Sequence, residues 1–246
     1  MRDVEQRVDG PCMHLRLNRP DKRNALTLAM YGMLANGLES AAGDPGIRVV
    51  TIAGSPGLFT AGNDLGDFLS SPPLGPDQPV LRFLDALASF PKLLVAGVAG
   101  AAIGIGTTML LHCDLVLATP SAHFSMPFVD LGLVPEAGSS LLLPRLIGRR
   151  RAALHLLLCE PFEAATARDY GLVSRIVEEG GLEAALEEIA SSLAAKPPEA
   201  LLLSKELLAR DPAVGQRIEE EGALFADRVV SAEARAAFSA FFEARR

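Results

Sequence analysis

Apolar residues along this chain follow two rhythms. In the first half, short aliphatic runs alternate with stretches whose apolar positions recur every three or four residues. Segments 12–17, 47–53, 93–99 and 114–118 read as strands, and 26–42, 80–90 and 107–112 as helices between them. A Gly-Asp-Pro-Gly breaker at 43–46 closes the first helix. The segment 70–79 (SSPPLGPDQP) is the richest loop in Pro and Gly and reads as lid-like. Beyond residue 140 the helical period dominates, at 141–146, 149–158, 164–169, 182–195, 199–209, 213–228 and 232–243, with a single strand at 173–177. This order predicts an α/β fold. Lys196-Pro197-Pro198 divides it into a core over 1–195 and a helical region over 196–246, which packs on the body or on another subunit.

One run tests the soluble reading. From Leu93 to Leu111 there is no charge, over about the length a bilayer requires, and Gly100 and Gly104 form a Gly-x-x-x-Gly pair. Four glycines and two threonines dilute the run, and no Trp or Tyr anchors its ends, so it reads as a buried strand, a glycine-rich turn and a helix start. The chain is 49% hydrophobic and 5% aromatic over 246 residues, enough for one well-buried core and incompatible with disorder. A formal charge of −7 argues against nucleic acid, while leaving room for a small anion held by local cations. Arg149-Arg150-Arg151 reads as a solvated helix start. Cys12, Cys113 and Cys159 suit neither a disulfide framework nor a zinc site and read as small apolar residues. His14, His112, His123 and His155 have no metal-ligand spacing, and no metal is expected. The opening residues lack a signal-peptide core, so cytoplasm is the expected location.

Gly104-Ile-Gly106 matches a dinucleotide fingerprint only in its first pair, with Met109 at the last position. Two segments carry more. In 59–65 (FTAGNDL) and 102–107 (AIGIGT), small residues follow a strand and leave backbone N–H groups accessible, so a substrate oxygen gaining negative charge can be held there. Glu136, between Pro135 and a Gly-Ser-Ser helix start and flanked by apolar residues, reads either as an enclosed base or as an acid facing the helix dipole. Burial would raise its pKa and the helix start would lower it.

Together, residues 18–26 (NRPDKRNAL), 59–65, 97–118 with Cys113-Asp114, and 131–138 (LGLVPEAG) resemble the crotonase family, the enoyl-CoA hydratase/isomerase superfamily, over almost the whole chain. The resemblance implies a spiral of ββα repeats with a C-terminal helical oligomerisation region, assembled as a trimer or a dimer of trimers. It implies an acyl-CoA thioester substrate whose carbonyl oxygen accepts two backbone N–H bonds, here from Asn63 and Ile105. Coenzyme A is then part of the substrate and no separate cofactor is expected.

Family hydratases position water with two glutamates, and these fall at Thr108 and Phe128, neither of which exchanges protons with water at neutral pH. Both are expected as acyl-pocket residues. Segments 61–68 and 125–140 resemble the peroxisomal-type Δ3,Δ2-enoyl-CoA isomerases, in which one glutamate at the place of Glu136 acts as base and then as acid. Arg19, Lys22 and Arg23, with Lys205 on the tail, are the expected cations for CoA. The alternatives are hydration or thioester hydrolysis on the same fold, or acyl-CoA binding without turnover.

Overall fold

A computed structural model of the chain describes residues 3–70, 78–209 and 213–243. It opens on a hairpin of β1 (Val4–Asp9) and β2 (Cys12–Leu17), turned at Gly10 with φ +52°. Helix α1 (Leu28–Gly43) follows, its start capped by Thr27, whose hydroxyl accepts from the Met30 amide at 3.2 Å. It buries Met30, Tyr31, Leu34 and Leu38. Next come β3 (Val49–Ala53), α2 (Leu65–Ser70), α3 (Pro79–Ala88) and β4 (Leu93–Val98). Every residue of β3 and β4 is buried, as parallel strands covered on both faces must be. The loop read as lid-like lies largely outside the described residues.

The uncharged run becomes β4, then β5 (Ala101–Ile103), α4 (Ile105–Thr108) and a 3-10 turn over Met109–His112. Its helix therefore begins two residues before the sequence places it, because Gly104, at φ +56° and ψ −119°, turns the chain sharply first. Strands β6 (Leu115–Ala118) and β7 (His123–Ser125) repeat the step from one sheet to the other. Among the described residues, no helix is long and apolar enough to cross a membrane.

Helices α5 (Ser139–Ile147) and α6 (Arg149–Leu156) meet at Gly148; Arg149, Arg150 and Arg151 are exposed. After β8 (Phe162–Glu163), α7 (Ala164–Asp169) and β9 (Arg175–Ile176) come α8 (Leu182–Ala194), α9 (Pro198–Ala209), α10 (Ala213–Val229) and α11 (Ala232–Glu243).

The strands form a six-stranded sheet in the order β1-β2-β3-β4-β6-β9, parallel from β2 onward, and a second sheet of β5-β7-β8. Leu186, Ala190 and Ala194 of α8 cover one face of the large sheet against Val49, Val95 and Leu117. Its other face opens into the main core, which also takes in Ile218 and Phe225 of α10 and Phe238 of α11. The tail thus folds back over its own body. Cys12 and Cys159 are buried and Cys113 half-buried; all three are free thiols.

Candidate functional site

The second sheet places the two amide loops side by side. A parallel bridge pairs Thr60 with Ala102, through Thr60 N–H to the Ala101 carbonyl at 2.8 Å and Ile103 N–H to the Thr60 carbonyl at 3.1 Å. Three positions beyond each paired residue stands an expected donor, Asn63 after Thr60 and Ile105 after Ala102. Each follows a glycine with positive φ, Gly62 at +85° and Gly104 at +56°. A Cβ on Gly62 would lie 2.8 Å from the Ile103 carbonyl oxygen, so the close approach of the two loops requires glycine there. The glycines redirect the following peptides, and among the described residues the amides of Asn63 and Ile105 make no backbone hydrogen bond in the surrounding turns.

Both loops are braced. Tyr31, buried in α1, donates its hydroxyl to Asn63 Oδ1. Burial, together with the nearby Glu136 carboxyl, pushes the Tyr31 phenol well above its usual range, so the hydroxyl keeps its proton. Buried Asn24 donates to the Phe59 carbonyl at 2.9 Å and accepts at its own carbonyl from Thr60 Oγ1 at 2.6 Å. Arg19 is half-buried and engaged: its Nη1 donates to Asp64 Oδ2 at 2.7 Å and to the Ala25 carbonyl at 2.9 Å. Burial alone would raise the Asp64 carboxyl, but Arg19 and the amides of Asp67 and Gly66 hold it below the usual carboxylate range.

Glu136 is 6% exposed, in a turn where Ala137 and Gly138 take φ +59° and +70°. The Ala137 carbonyl lies 2.7 Å from His112 Nε2, and the amides of Gly138 and Ser140 donate to Glu221 Oε2 at 2.6 Å and Oε1 at 2.9 Å. Thr108 donates its hydroxyl to Glu136 Oε1. Burial raises the Glu136 carboxyl from 4.5 to about 8; the Thr108 bond opposes this and the Glu221 carboxyl adds to it. Of the two tendencies the sequence left open, desolvation therefore wins.

Glu136 and Asn63 share the wall of a cavity of about 410 Å³, otherwise mostly apolar, formed by Phe68, residues of α3 and residues of α10. A second cleft, of about 430 Å³, is lined by Lys22, Arg23, both amide loops and Phe128. Asn63 belongs to both walls, so a ligand lying through the two would pass Asn63 at their junction.

The structure places Glu136 and Asn63 on the inner cavity and Asn63, Phe128, Lys22 and Arg23 on the outer cleft; Ile105 is fully buried and follows Gly104 of the cleft wall. Three expectations change. Thr108 is fully buried and lines neither cavity; it bonds the carboxyl instead. Arg19 braces the Asn63 loop. Lys205 lies on α9, its Nζ 2.8 Å from Asp114 Oδ2 and 2.5 Å from the Lys92 carbonyl, beside a different cavity of about 560 Å³. Among the described residues, no three His, Cys, Asp or Glu side chains converge as metal ligands. Sequence reasoning missed Tyr31 and Glu221. The signal for Glu221 was an acid in register with Ile218 and Phe225 on the apolar face of its helix.

Two glycine-led loops held side by side by parallel pairing, one of them sharing a cavity wall with an enclosed carboxyl, form a candidate enzyme site. The enoyl-CoA hydratase/isomerase family model matches residues 9–246, and the chain belongs to that family, as a crotonase-type acyl-CoA enzyme. It is 35% identical to the 1,2-epoxyphenylacetyl-CoA isomerase of Escherichia coli K12, over 85% of this chain and 82% of that one. It is 34% identical to enoyl-CoA delta isomerase 2 of Rattus norvegicus, over 82% of this chain and 53% of the longer relative. The solved structure of Pseudomonas aeruginosa OdaA superimposes with a TM-score of 0.95 at 43% identity, covering 98% of this chain and 99% of that one. The fold is that of the crotonases.

Proposed function

We propose that the protein is a Δ3,Δ2-enoyl-CoA isomerase, moving the double bond of a 3-enoyl-CoA to the trans-2 position. The observation that carries this reading is the buried carboxyl of Glu136, raised to about 8 on the wall of a mostly apolar cavity that also reaches Asn63. A 1,3 proton shift needs one group that takes and returns a proton. Glu136 removes the proton from C2, and the C2–H electrons form a dienolate whose oxygen accepts from the Asn63 and Ile105 amides. The same carboxyl then returns the proton to C4, the 3,4 double bond becomes the 2,3 double bond, and no atom is gained or lost. With Thr and Phe at 108 and 128, nothing at those positions activates water, which fits isomerisation better than hydration.

Lys22 and Arg23, exposed on the outer cleft, are the cations proposed for the CoA phosphates; Arg19 and Lys205 are engaged elsewhere. The reaction asks for no cofactor beyond the CoA of the substrate. A trimer or a dimer of trimers in the cytoplasm belongs to the same proposal. Incubation with trans-3-hexenoyl-CoA is expected to raise the ultraviolet band of the conjugated thioester, and Glu136→Gln to lower that rate by roughly 10²-fold or more. No rise with the wild type, or equal rates for the two proteins, overturns the reading.

A further inference from the structure

The turn that carries Glu136 is held on one side by Thr108 and His112, and on the other by a carboxylate from more than eighty positions further along the chain. The N-cap of α5 is Gly138, which has no side chain to satisfy the first amides of the helix. Glu221, 4% exposed on α10, supplies what a local Ser or Asp would, one oxygen to each of the Gly138 and Ser140 amides. Two acceptor oxygens facing two N–H donors suit the ionised carboxylate. Arg217, one turn earlier on α10, reaches the same helix start, its Nη1 donating to Ser140 Oγ at 3.1 Å. The clamp bears on a backbone with two successive positive φ values at Ala137 and Gly138, a conformation kept only while surrounding contacts enforce it.

We infer that Glu221 is a positioning residue for the reaction, fixing the Glu136 turn against α10; the inference rests on Glu136 being the proton carrier. It acts through geometry and through charge. The charged and titratable groups around Glu136 among the described residues are Tyr31 on α1, His112 on the 3-10 turn, Arg217 and Glu221 on α10, and, across the cavity, Asp85 on α3 and Glu219 on α10. Burial depresses His112 and raises Tyr31, which favours the neutral form of each. Burial also raises the Glu221 carboxyl, against the Ser140 and Gly138 amides and Arg217, which favour its ionised form, and once ionised its charge disfavours ionisation of Glu136.

The test compares Glu221→Gln and Glu221→Asp with the wild type. Gln keeps the shape but removes the charge and sets an NH2 group against one of the two amides. It is expected to lower kcat roughly ten- to a hundredfold, leave KM nearly unchanged, and move the acid limb of the pH–rate profile to lower pH. Asp keeps the charge on a shorter arm, so kcat falls while the acid limb stays near its wild-type position. Carboxyl-13C NMR titration of Glu136, assigned with Glu136→Gln, reads the same shift without turnover. A folded Glu221→Gln with wild-type kcat and an unmoved Glu136 titration overturns the inference, as does a loss confined to KM. Should that variant fail to fold, wild-type kcat in Glu221→Asp overturns it. A wild type that binds acyl-CoA but does not isomerise it overturns the proposed function instead, and the NMR titration then decides the role of Glu221.

Discussion

An ionisable group held at about 8 inside a fold, when its ordinary value is 4.5, makes stability depend on pH in a direction opposite to most carboxylates. Below pH 4.5 Glu136 is protonated whether the chain is folded or not, and contributes no difference. Between 4.5 and 8 the unfolded chain releases that proton while the folded one keeps it, so the free energy of unfolding falls as pH rises and levels off above 8. At pH 7 the ratio of the two titration functions amounts to about 3 kcal/mol, taking 1.36 kcal/mol per pKa unit. Glu136→Gln removes the titration, since Gln is neutral throughout and its oxygen can still accept from Thr108. For a chain of this length 1 kcal/mol moves Tm by roughly 2–4 °C, so the lead of the variant over wild type should widen by roughly 6–12 °C between pH 4.5 and pH 7. Calorimetric melting of both proteins across that range is the assay. A gap that stays constant with pH, or that closes as pH rises, refutes the account of Glu136 as a desolvated acid. The variant that abolishes the chemistry would then be the more stable protein, as expected where a function keeps an unfavourable group in place.

The same carboxyl sets the activity profile: kcat/KM for isomerisation should climb nearly tenfold per unit below about pH 8 and flatten above it, and a profile flat from pH 6 to 9 would contradict the assignment of Glu136 as base. Gly104→Ala should cost about 1–3 kcal/mol of stability through backbone strain alone, because the nearest atom to an added Cβ is Phe128 Cε1 at 3.9 Å; it should also displace the Ile105 amide and lower kcat about 10²-fold, and wild-type kcat would remove that amide from the oxyanion site. Asp85 and Glu219 stand exposed on the wall of the Glu136 cavity, so calorimetric titration should find adipoyl-CoA bound roughly tenfold more weakly than hexanoyl-CoA. Equal affinities, or no narrowing of the difference in the Asp85→Asn, Glu219→Gln double variant, would show that the acyl end does not approach these carboxylates.

Much of the scaffold is written in local pattern. The strands 12–17, 47–53, 93–99 and 114–118 match β2, β3, β4 and β6 to within two residues; β3, β4 and β6 are nearly continuous apolar runs, as strands covered on both faces must be, while β2 alternates half-buried His14 and Arg16 with buried residues. Strand β1 escapes such a reading because it is an edge, buried only at Val4. Strands β5 and β7 are three residues each, ordered by pairing between loops rather than by a pattern of their own. The site divides in the same way. Glu136 and the two glycine-led loops are legible as short motifs. The height of the Glu136 pKa is not, since it depends on burial by elements far away in sequence and on Thr108 and Glu221. Arg19 illustrates the limit in reverse: a cation in the right motif is engaged by Asp64, which no spacing rule pairs with it.

Helix α10 walls the cavity and clamps the Glu136 turn, yet it begins only at Ala213. During synthesis the large sheet and both amide donors are complete long before that helix leaves the ribosome. The cavity wall that α10 supplies and the carboxylate that braces the Glu136 turn are therefore made among the last parts of the site, after every residue of the two amide loops and of the large sheet.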